Sequence, residues 1–499
     1  MGLKSILAKP LAVYFRNKIL KESNQAIEWQ EFWFKKILTT AANTKFGIDH
    51  GFASIKSHVD YTNKVAVKDY EGLRTYIDRV VDGEKDVLWP GKPLYFAKTS
   101  GTTSGVKYIP ITKDSIPFHI NSARNALFCY IAETGKAEFL DGKLIFLSGS
   151  PVLTKKSGVD TGRLSGIVNH HVPAYLRKNQ MPSYETNCIE DWEQKVMAIT
   201  NETLKENMTL ISGIPPWVQM YFDKIYEQTG KRAGEQFPNF SLFVYGGVNF
   251  EPYRAKLEAS IGRKVDTLET YPASEGFFAY QHSQNAEGLL LLLNNGIFYE
   301  FIKTEDFYSE NPRRYTLAEI ELNVNYALII TTNAGLYAYN IGDTVKFVSK
   351  NPYLIKVTGR IKHFISAFGE HVIGEEVEYA LLTAANEMGI SIIEFTVAPQ
   401  VNPPEGGLPY HEWFVAFEEV PLDLAALARR TDLLLQEKNI YYKDLLAGNI
   451  LQPLKIKPLQ KNAFIQYMKS QGKLGGQNKV PRLSNTREIA EHLQAYLNN

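Results

Sequence analysis

Residues 240–271 read FSLFVYGGVNFEPYRAKLEASIGRKVDTLETY, and they leave one arrangement open. FSLFVYGG (240–247) is an almost continuous apolar run, as a strand covered on both faces requires. EPYRAKLEASIG has Pro252 near its start and Gly262 past its end, the punctuation of a helix. KVDTLETY (264–271) is the next strand. Strand, helix and strand within about 30 residues make a crossover and therefore a parallel pair. Gly246–Gly247 and Tyr271 then lie side by side at the carboxyl edge of a sheet, where open α/β sheets bind ligands.

A chain of 499 residues exceeds one ordinary core, so two or more domains are expected. EIELNVNYALIITTNAGLYAYNIGDTVKFVSKNPYLIKVTGR (319–360) is dense in β-branched and aromatic residues and reads as antiparallel strands. After Arg360 the pattern changes: a hairpin in KHFISAFGEHV, a helix in GEEVEYALLTAANEMG, two strands, then two helical stretches. The expected fold class is α/β, with a large multi-sheet N-terminal domain over 1–359 and a smaller mobile α+β domain over 360–499. Residues 20–40 and 190–209 read as helices, and GIPPWVQMYFDKIYEQTG (213–230) as a Pro-started helix ending at Gly230. PLYFAKT (93–99) and KLIFLSGSP (143–151) read as strands.

Lys plus Arg is 55 and Asp plus Glu is 54, a balance that favours neither nucleic acid nor an anionic membrane as main partner. Two cysteines, Cys129 and Cys188, make no disulfide framework and no CxxC, which fits a reducing, cytoplasmic setting. The N-terminal stretch MGLKSILAKPLAVYFRNKIL is basic and partly apolar. Lys9, Arg16 and Lys18 interrupt it, so it reads as an amphipathic helix packed on its own domain rather than a signal or a membrane anchor. The longest purely apolar run, at 289–293, is far short of a membrane span.

AKTSGTTSGVKYIPIT (97–112) carries the chemistry. Gly101 and Gly105 permit close backbone approach, successive backbone N–H groups can form an anion nest, and the hydroxyls of Thr99, Ser100, Thr102, Thr103 and Ser104 add donors. Lys107 adds a point charge suited to phosphate. The same residues also suit a solvated surface hairpin. The spacing is not that of a P-loop, which needs G-x4-G-K-[ST] opening a helix.

Taken with YPASEG (271–276), YNIGDTV (339–345) and GRIKHFISAFGEHVIGEEVE (359–378), this stretch resembles the adenylate-forming superfamily of acyl-CoA synthetases and firefly luciferase. GIPPWV (213–218) and GQNKVPRL (476–483) are similar to the Gretchen Hagen 3 family of auxin-responsive acyl acid–amido synthetases, in a bacterial-type version. The resemblance implies that ATP activates a carboxylic acid as an acyl-adenylate, which an amino acid then attacks to give an amide, with ATP and Mg²⁺ as cofactors. It implies that Ser100, Gly101, Thr102, Thr103, Ser104, Gly105 and Lys107 hold the pyrophosphate part of ATP. Gly246 and Gly247 would lie along adenine, Tyr271 would stack near the base, and Ser274 would approach the α-phosphate. Glu275 would bind Mg²⁺, and Asp343 the ribose hydroxyls with Arg360 nearby. Lys362 would be the hinge of the C-terminal domain, and Lys479 a contact to the adenylate, with Lys473 as its competitor. Lys107, Glu275, Lys362 and Lys479 form the expected catalytic set.

Plainer roles exist for several of these. Glu275 also suits a helix N-terminus, Asp343 an ordinary turn, and Lys362 a solvated surface. NHH (169–171) reads as structure or pocket lining, since two histidines make a poor metal site. Two rival functions remain: thioester formation with coenzyme A, and nucleotide binding without turnover.

Overall fold

The computed structural model describes residues 2–498 except 103, 104, 173–176, 248, 249, 305, 308, 362, 363, 366, 371, 472–479 and 481. Residues 100–102, 105, 216, 251–253, 255, 359, 360, 364, 365 and 373–375 are described as backbone only. The chain divides into two compact units, residues 1–247 with 256–361, and residues 248–255 with 362–499. That residues 248–255 group with the second unit has no signal in the sequence.

The first unit opens with two helices, α1 (Leu3–Ser23) and α2 (Ala26–Ala41). Its strands begin with β1 (Tyr95–Thr102), β2 (Gly105–Ile111), β3 (Lys143–Phe146), β4 (Thr154–Lys156), β5 (Val159–Gly162) and β6 (Gln180–Met181). They continue with β7 (Met208–Ser212), β8 (Leu242–Gly246), β9 (Asp266–Ala273), β10 (Gly276–Tyr280) and β11 (Leu289–Leu291). Last come β12 (Ile297–Lys303), β13 (Asn325–Thr332), β14 (Tyr339–Lys350) and β15 (Tyr353–Arg360). One sheet has the order β2-β1-β5-β4. The other has eleven strands in the order β12-β13-β14-β15-β11-β10-β9-β8-β7-β3-β6.

The large sheet changes character at β9. On one side β9, β8, β7, β3 and β6 run parallel; on the other, β10 to β15 pair antiparallel. The parallel crossover from β8 to β9 through the helix Glu251–Ile261 is the one read from the sequence. Strands β10, β11 and β12 were not read at all. The expected helix over 190–209 ends at Thr203, and Met208 and Thr209 belong to β7. That strand sits between β3 and β8 and is buried along most of its length, so its apolar run serves a sheet. In β13, NYALIITT, every residue after Asn325 is buried, and each large apolar side chain there contributes roughly 1.5–3 kcal/mol.

α1 packs against the helix Ile116–Thr134, but not through its larger apolar residues. Its buried side chains are Ser5, Ala8, Ala12 and Ile19, while Leu3, Ile6, Leu7, Leu11, Val13 and Tyr14 face solvent. Small residues let two helix backbones approach closely, which turns the bulky face outward. The helix expected to pack on its own domain does so, through small residues rather than bulky ones.

The second unit is α+β. β16 (Phe364–Ile365) and β17 (Val372–Ile373) form a hairpin. β18 (Ile392–Gln400) pairs antiparallel with β19 (Tyr410–Phe417), which pairs parallel with β20 (Lys455–Leu459). The helices Gly374–Glu387 and Leu424–Lys438 flank them. His411 and Glu370, both fully buried, are 2.8 Å apart through Nε2 and Oε1. β20 was not anticipated from the sequence.

Candidate active site

The hydroxyl-rich stretch folds as a hairpin. Thr99 pairs with Lys107 and Thr102 with Gly105, with an irregularity in between, so both strands run further into the stretch than the sequence reading allowed. Thr103 and Ser104 lie outside the described residues, and of Ser100, Gly101, Thr102 and Gly105 only the backbone is described. Lys107 on β2 holds its Nζ 5.5 Å from the centre of the Tyr70 ring, a cation–π distance. The Tyr70 hydroxyl accepts the N–H of Tyr108 at 2.9 Å. Tyr70 opens a helix whose N-cap is Asp69, accepting from the N–H of Gly72. Two backbone bonds then tie the preceding Lys68 to β14: its N–H donates to Ala338 O at 3.1 Å, and its carbonyl accepts from Asn340 at 2.8 Å. The hairpin carrying Lys107 is thus linked to the start of β14.

Gly246 and Gly247 are glycines for different reasons. Gly246 pairs with Thr270, and a Cβ there would stand 2.2 Å from the Thr270 carbonyl oxygen, so β8 and β9 approach too closely for any side chain. Gly247 has φ +83° and open space where a Cβ would be. It turns the chain away from the sheet edge in a conformation that costs other residues.

Ser274 and Glu275 form the two-residue link between β9 and β10, since Ala273 pairs with Gly276. Glu275 is therefore a hairpin residue, not the helix N-terminal acid considered as its plainer role. The Tyr339 hydroxyl donates to Glu275 Oε1 at 3.3 Å. Burial, and behind it the Glu275 carboxylate, hold that hydroxyl well above its usual range, so it remains a donor.

Asp343 sits in a bulge, not in a plain turn. Ala327 pairs with Thr344 and Ile329 with Asn340, which leaves Ile341, Gly342 and Asp343 opposite Leu328 alone. Gly342 supplies φ +87°, and its N–H donates to Asn340 Oδ1 at 2.9 Å. Bulges of this kind re-aim a side chain. Here the Asp343 carboxylate accepts from the Tyr271 hydroxyl through Oδ2 at 2.6 Å, with both side chains buried. Across the sheet Asp343 is in register with Arg360, whose side chain is not described.

Tyr271 and Glu275, on β9 and its link to β10, thus meet Asp343 and the backbone of Arg360, on the paired strands β14 and β15, although β15, β11 and β10 lie between β14 and β9 in the sheet order; Gly246 lies beside Thr270. Lys362 and Lys479 lie outside the described residues, as does Lys473. The sequence reading missed Tyr70 and Tyr339 as the partners of Lys107 and Glu275. Tyr339 opens the YNIGD motif and was legible there; Tyr70, 37 positions before Lys107, gave no local signal. The histidines of NHH have structural partners: His170 Nε2 lies 2.8 Å from Pro151 O, and His171 Nε2 lies 3.1 Å from the Tyr95 hydroxyl. Among the described residues no group of three or more His, Cys, Asp or Glu could hold a metal ion, and no helix is long and apolar enough to cross a membrane.

Comparison with known proteins places the chain in a family. Among curated proteins, the chain is similar to the indole-3-acetic acid-amido synthetase GH3.3 of Arabidopsis thaliana. They are 26% identical over 561 residues, covering 96% of this chain and 93% of that one. It is also similar to the jasmonoyl-L-amino acid synthetase JAR4 of Nicotiana attenuata, 22% identical, covering 64% of this chain and 66% of that one. Among solved structures, the GH3.15 acyl acid amido synthetase superposes with a TM-score of 0.60 at 15% identity, covering 95% of this chain and 94% of that one. A 2-hydroxyisobutyryl-CoA ligase in complex with 2-HIB-AMP and CoA gives 0.53 at 13% identity, covering 96% and 91%. These likenesses show the adenylate-forming fold. Residues 15–186, 290–360 and 375–488, well over half of the chain, match the N-terminal, central and C-terminal domains of one family, and the protein belongs to it: the GH3 family.

Proposed function

We propose that this GH3-family chain is a ligase that uses ATP to activate a carboxylic acid as an acyl-adenylate and passes the acyl group to an amino acid, giving an amide, AMP and pyrophosphate. The observation that carries the reading is the buried Tyr271–Asp343 pair beside the Glu275 hairpin, at the edge where Gly246 and Gly247 end β8. The relatives named as amido synthetases support the acid and the amino acid as substrate classes.

Carboxylate attack on the α-phosphorus is opposed by phosphate charge, so the protein's work is positioning and electrostatic stabilisation. Asp343, fixed by Tyr271, is the acceptor for ribose hydroxyls. Gly247 keeps the wall beside the base free of a side chain. Glu275, held by Tyr339, is a hard oxygen donor. Mg²⁺ is commonly held by one or two carboxylates together with substrate phosphates, so Glu275 suits an ion that arrives with the triphosphate. When bound, that ion neutralises phosphate charge. Lys107 and the hydroxyls of Ser100 to Ser104 are the proposed hold on the pyrophosphate. For the second half-reaction the amine needs a path to the adenylate. We place the hinge for that step at Lys362, where the chain passes from the first unit to the second, with Lys479 as the adenylate contact. The two free cysteines support a reducing, cytoplasmic setting.

The test is acid-dependent exchange of labelled pyrophosphate into ATP, followed by mass spectrometry of products from pooled acids with pooled amino acids or coenzyme A. AMP and an amide are expected. ADP would replace the reading with phosphoryl transfer, and a thioester without an amide would make the chain an acyl-CoA synthetase. Lys362→Pro should uncouple the half-reactions by restricting φ at the joint. Equal retention of exchange and amide formation in that variant would remove the hinge.

A further inference from the structure

We propose that α1 is a peripheral docking helix, which lays its outer face on a lipid bilayer whose headgroups are anionic. The proposal is independent of the ligase reading. α1 cannot bury its bulky side by turning, because its inner side is fastened. Asp141 accepts from the N–H of Gly2 at 2.7 Å and from the Ser5 hydroxyl at 2.8 Å, which anchors the start of the helix. Phe15 stacks on Phe128 with ring centres 5.2 Å apart, and the Arg124 guanidinium lies 4.6 Å from the centre of Phe15. What remains outside is a stripe of Leu3, Ile6, Leu7, Leu11, Val13 and Tyr14, each between 48 and 72% exposed. Scattered surface leucines need no explanation, but a contiguous stripe on one helix marks an interaction surface.

The charge around the stripe selects the partner. α1 carries Lys4, Lys9, Arg16, Lys18 and Lys21 against Glu22 alone, a net +4, whereas the whole chain is +1. The remainder of the protein is therefore −3; Lys9 pairs with Glu138 at 3.2 Å and Lys18 with Glu22 at 3.9 Å, which leaves an excess of basic charge along the helix. Lys18 and Lys21 continue the exposed side beyond Tyr14. An apolar stripe with basic residues beside it matches an interfacial helix, the apolar side chains entering the acyl boundary and the lysines meeting phosphate headgroups. A second copy fits less well, because antiparallel pairing of two α1 helices would set Lys4 against Lys21 and gather like charges. No spanning segment is involved.

The test is sedimentation of the full-length protein with vesicles of phosphatidylcholine, alone or with about a third replaced by phosphatidylserine. Bound protein is expected to be at least about tenfold higher on the anionic vesicles and to fall as salt shortens the Debye length. Two variants separate the contributions: Leu7→Ser with Leu11→Ser and Tyr14→Ser, and Lys18→Glu with Lys21→Glu. Each should lower binding about tenfold, with melting temperature and ATP affinity unchanged. Failure of the wild type to sediment with anionic vesicles would overturn the proposal, as would unchanged binding in both variants. A wild-type dimer by light scattering that both variants dissolve would also overturn it and assign the stripe to a second copy.

Discussion

Tyr271→Phe removes one oxygen atom and asks whether the carboxylate of Asp343 serves ATP. The hydroxyl donates to Asp343 Oδ2 at 2.6 Å, and the two residues are only 8% and 7% exposed, so water is poorly placed to replace the lost donor. A hydrogen bond to a charged group is worth about 1.5–3 kcal/mol, which converts to a factor of roughly 10 to 150 in an equilibrium constant. If Asp343 must be held in one orientation to receive ribose hydroxyls, that factor appears in ATP affinity. Calorimetric titration of the folded variant should give a Kd for ATP raised by that range. Asp343→Asn should weaken ATP binding by a similar amount. The double variant should fall well short of the sum, because the second change removes a partner already lost. The melting temperature of each variant controls for fold. A Tyr271→Phe protein that melts like wild type and binds ATP with wild-type affinity would sink the assignment of Asp343 to the nucleotide.

The other predictions use different readouts. Glu275→Gln should slow pyrophosphate exchange by roughly 10²-fold with the fold intact, because it removes the hard oxygen charge at the phosphates; wild-type exchange would return Glu275 to a hairpin role. Gly246→Ala should prevent stable folding, since its Cβ would lie 2.2 Å from Thr270 O, whereas Gly247→Ala meets no atom and should cost only about 1–2 kcal/mol for its φ. Urea midpoints that fall equally in both would refute the distinction. Burial pushes His119 down to about 4 from 6.5, so the folded state refuses a proton that the unfolded chain accepts. Stability should therefore decline by about 3 kcal/mol as pH falls from 6.5 towards 4. His119→Gln should flatten that part of the pH profile, as read from urea midpoints.

The sequence disclosed those parts of the molecule whose cause is local. The β8–helix–β9 crossover was readable because one apolar run, Pro252 and Gly262 sit within a single stretch. The antiparallel meander β13 to β15 was readable from β-branched density and turn residues. The helix ending at Gly230 was readable because Gly230 adopts φ +68° as its cap. What escaped depends on distant partners. Met208 to Ser212 follow a helix and read as its continuation; only β3 and β8 on either side make them a strand. The outward side of α1 was hidden because its choice of face depends on Asp141 and Phe128. Asp343 was identified from its motif, yet the bulge that aims it at Tyr271 is a matter of pairing with β13 and β15, more than ten residues away on either side.

The strand order also has a consequence in time. After β11 the chain travels to the far edge of the large sheet, builds β12, β13 and β14, and returns with β15 to lie against β11. During synthesis β11 therefore has an open side until residues 353–360 have left the ribosome. Unpaired strand edges of this kind recruit other chains. The register that closes the gap is also the one that sets Asp343 opposite Arg360. A nascent chain is thus most prone to aggregate over the same interval in which Asp343 has no Arg360 opposite it.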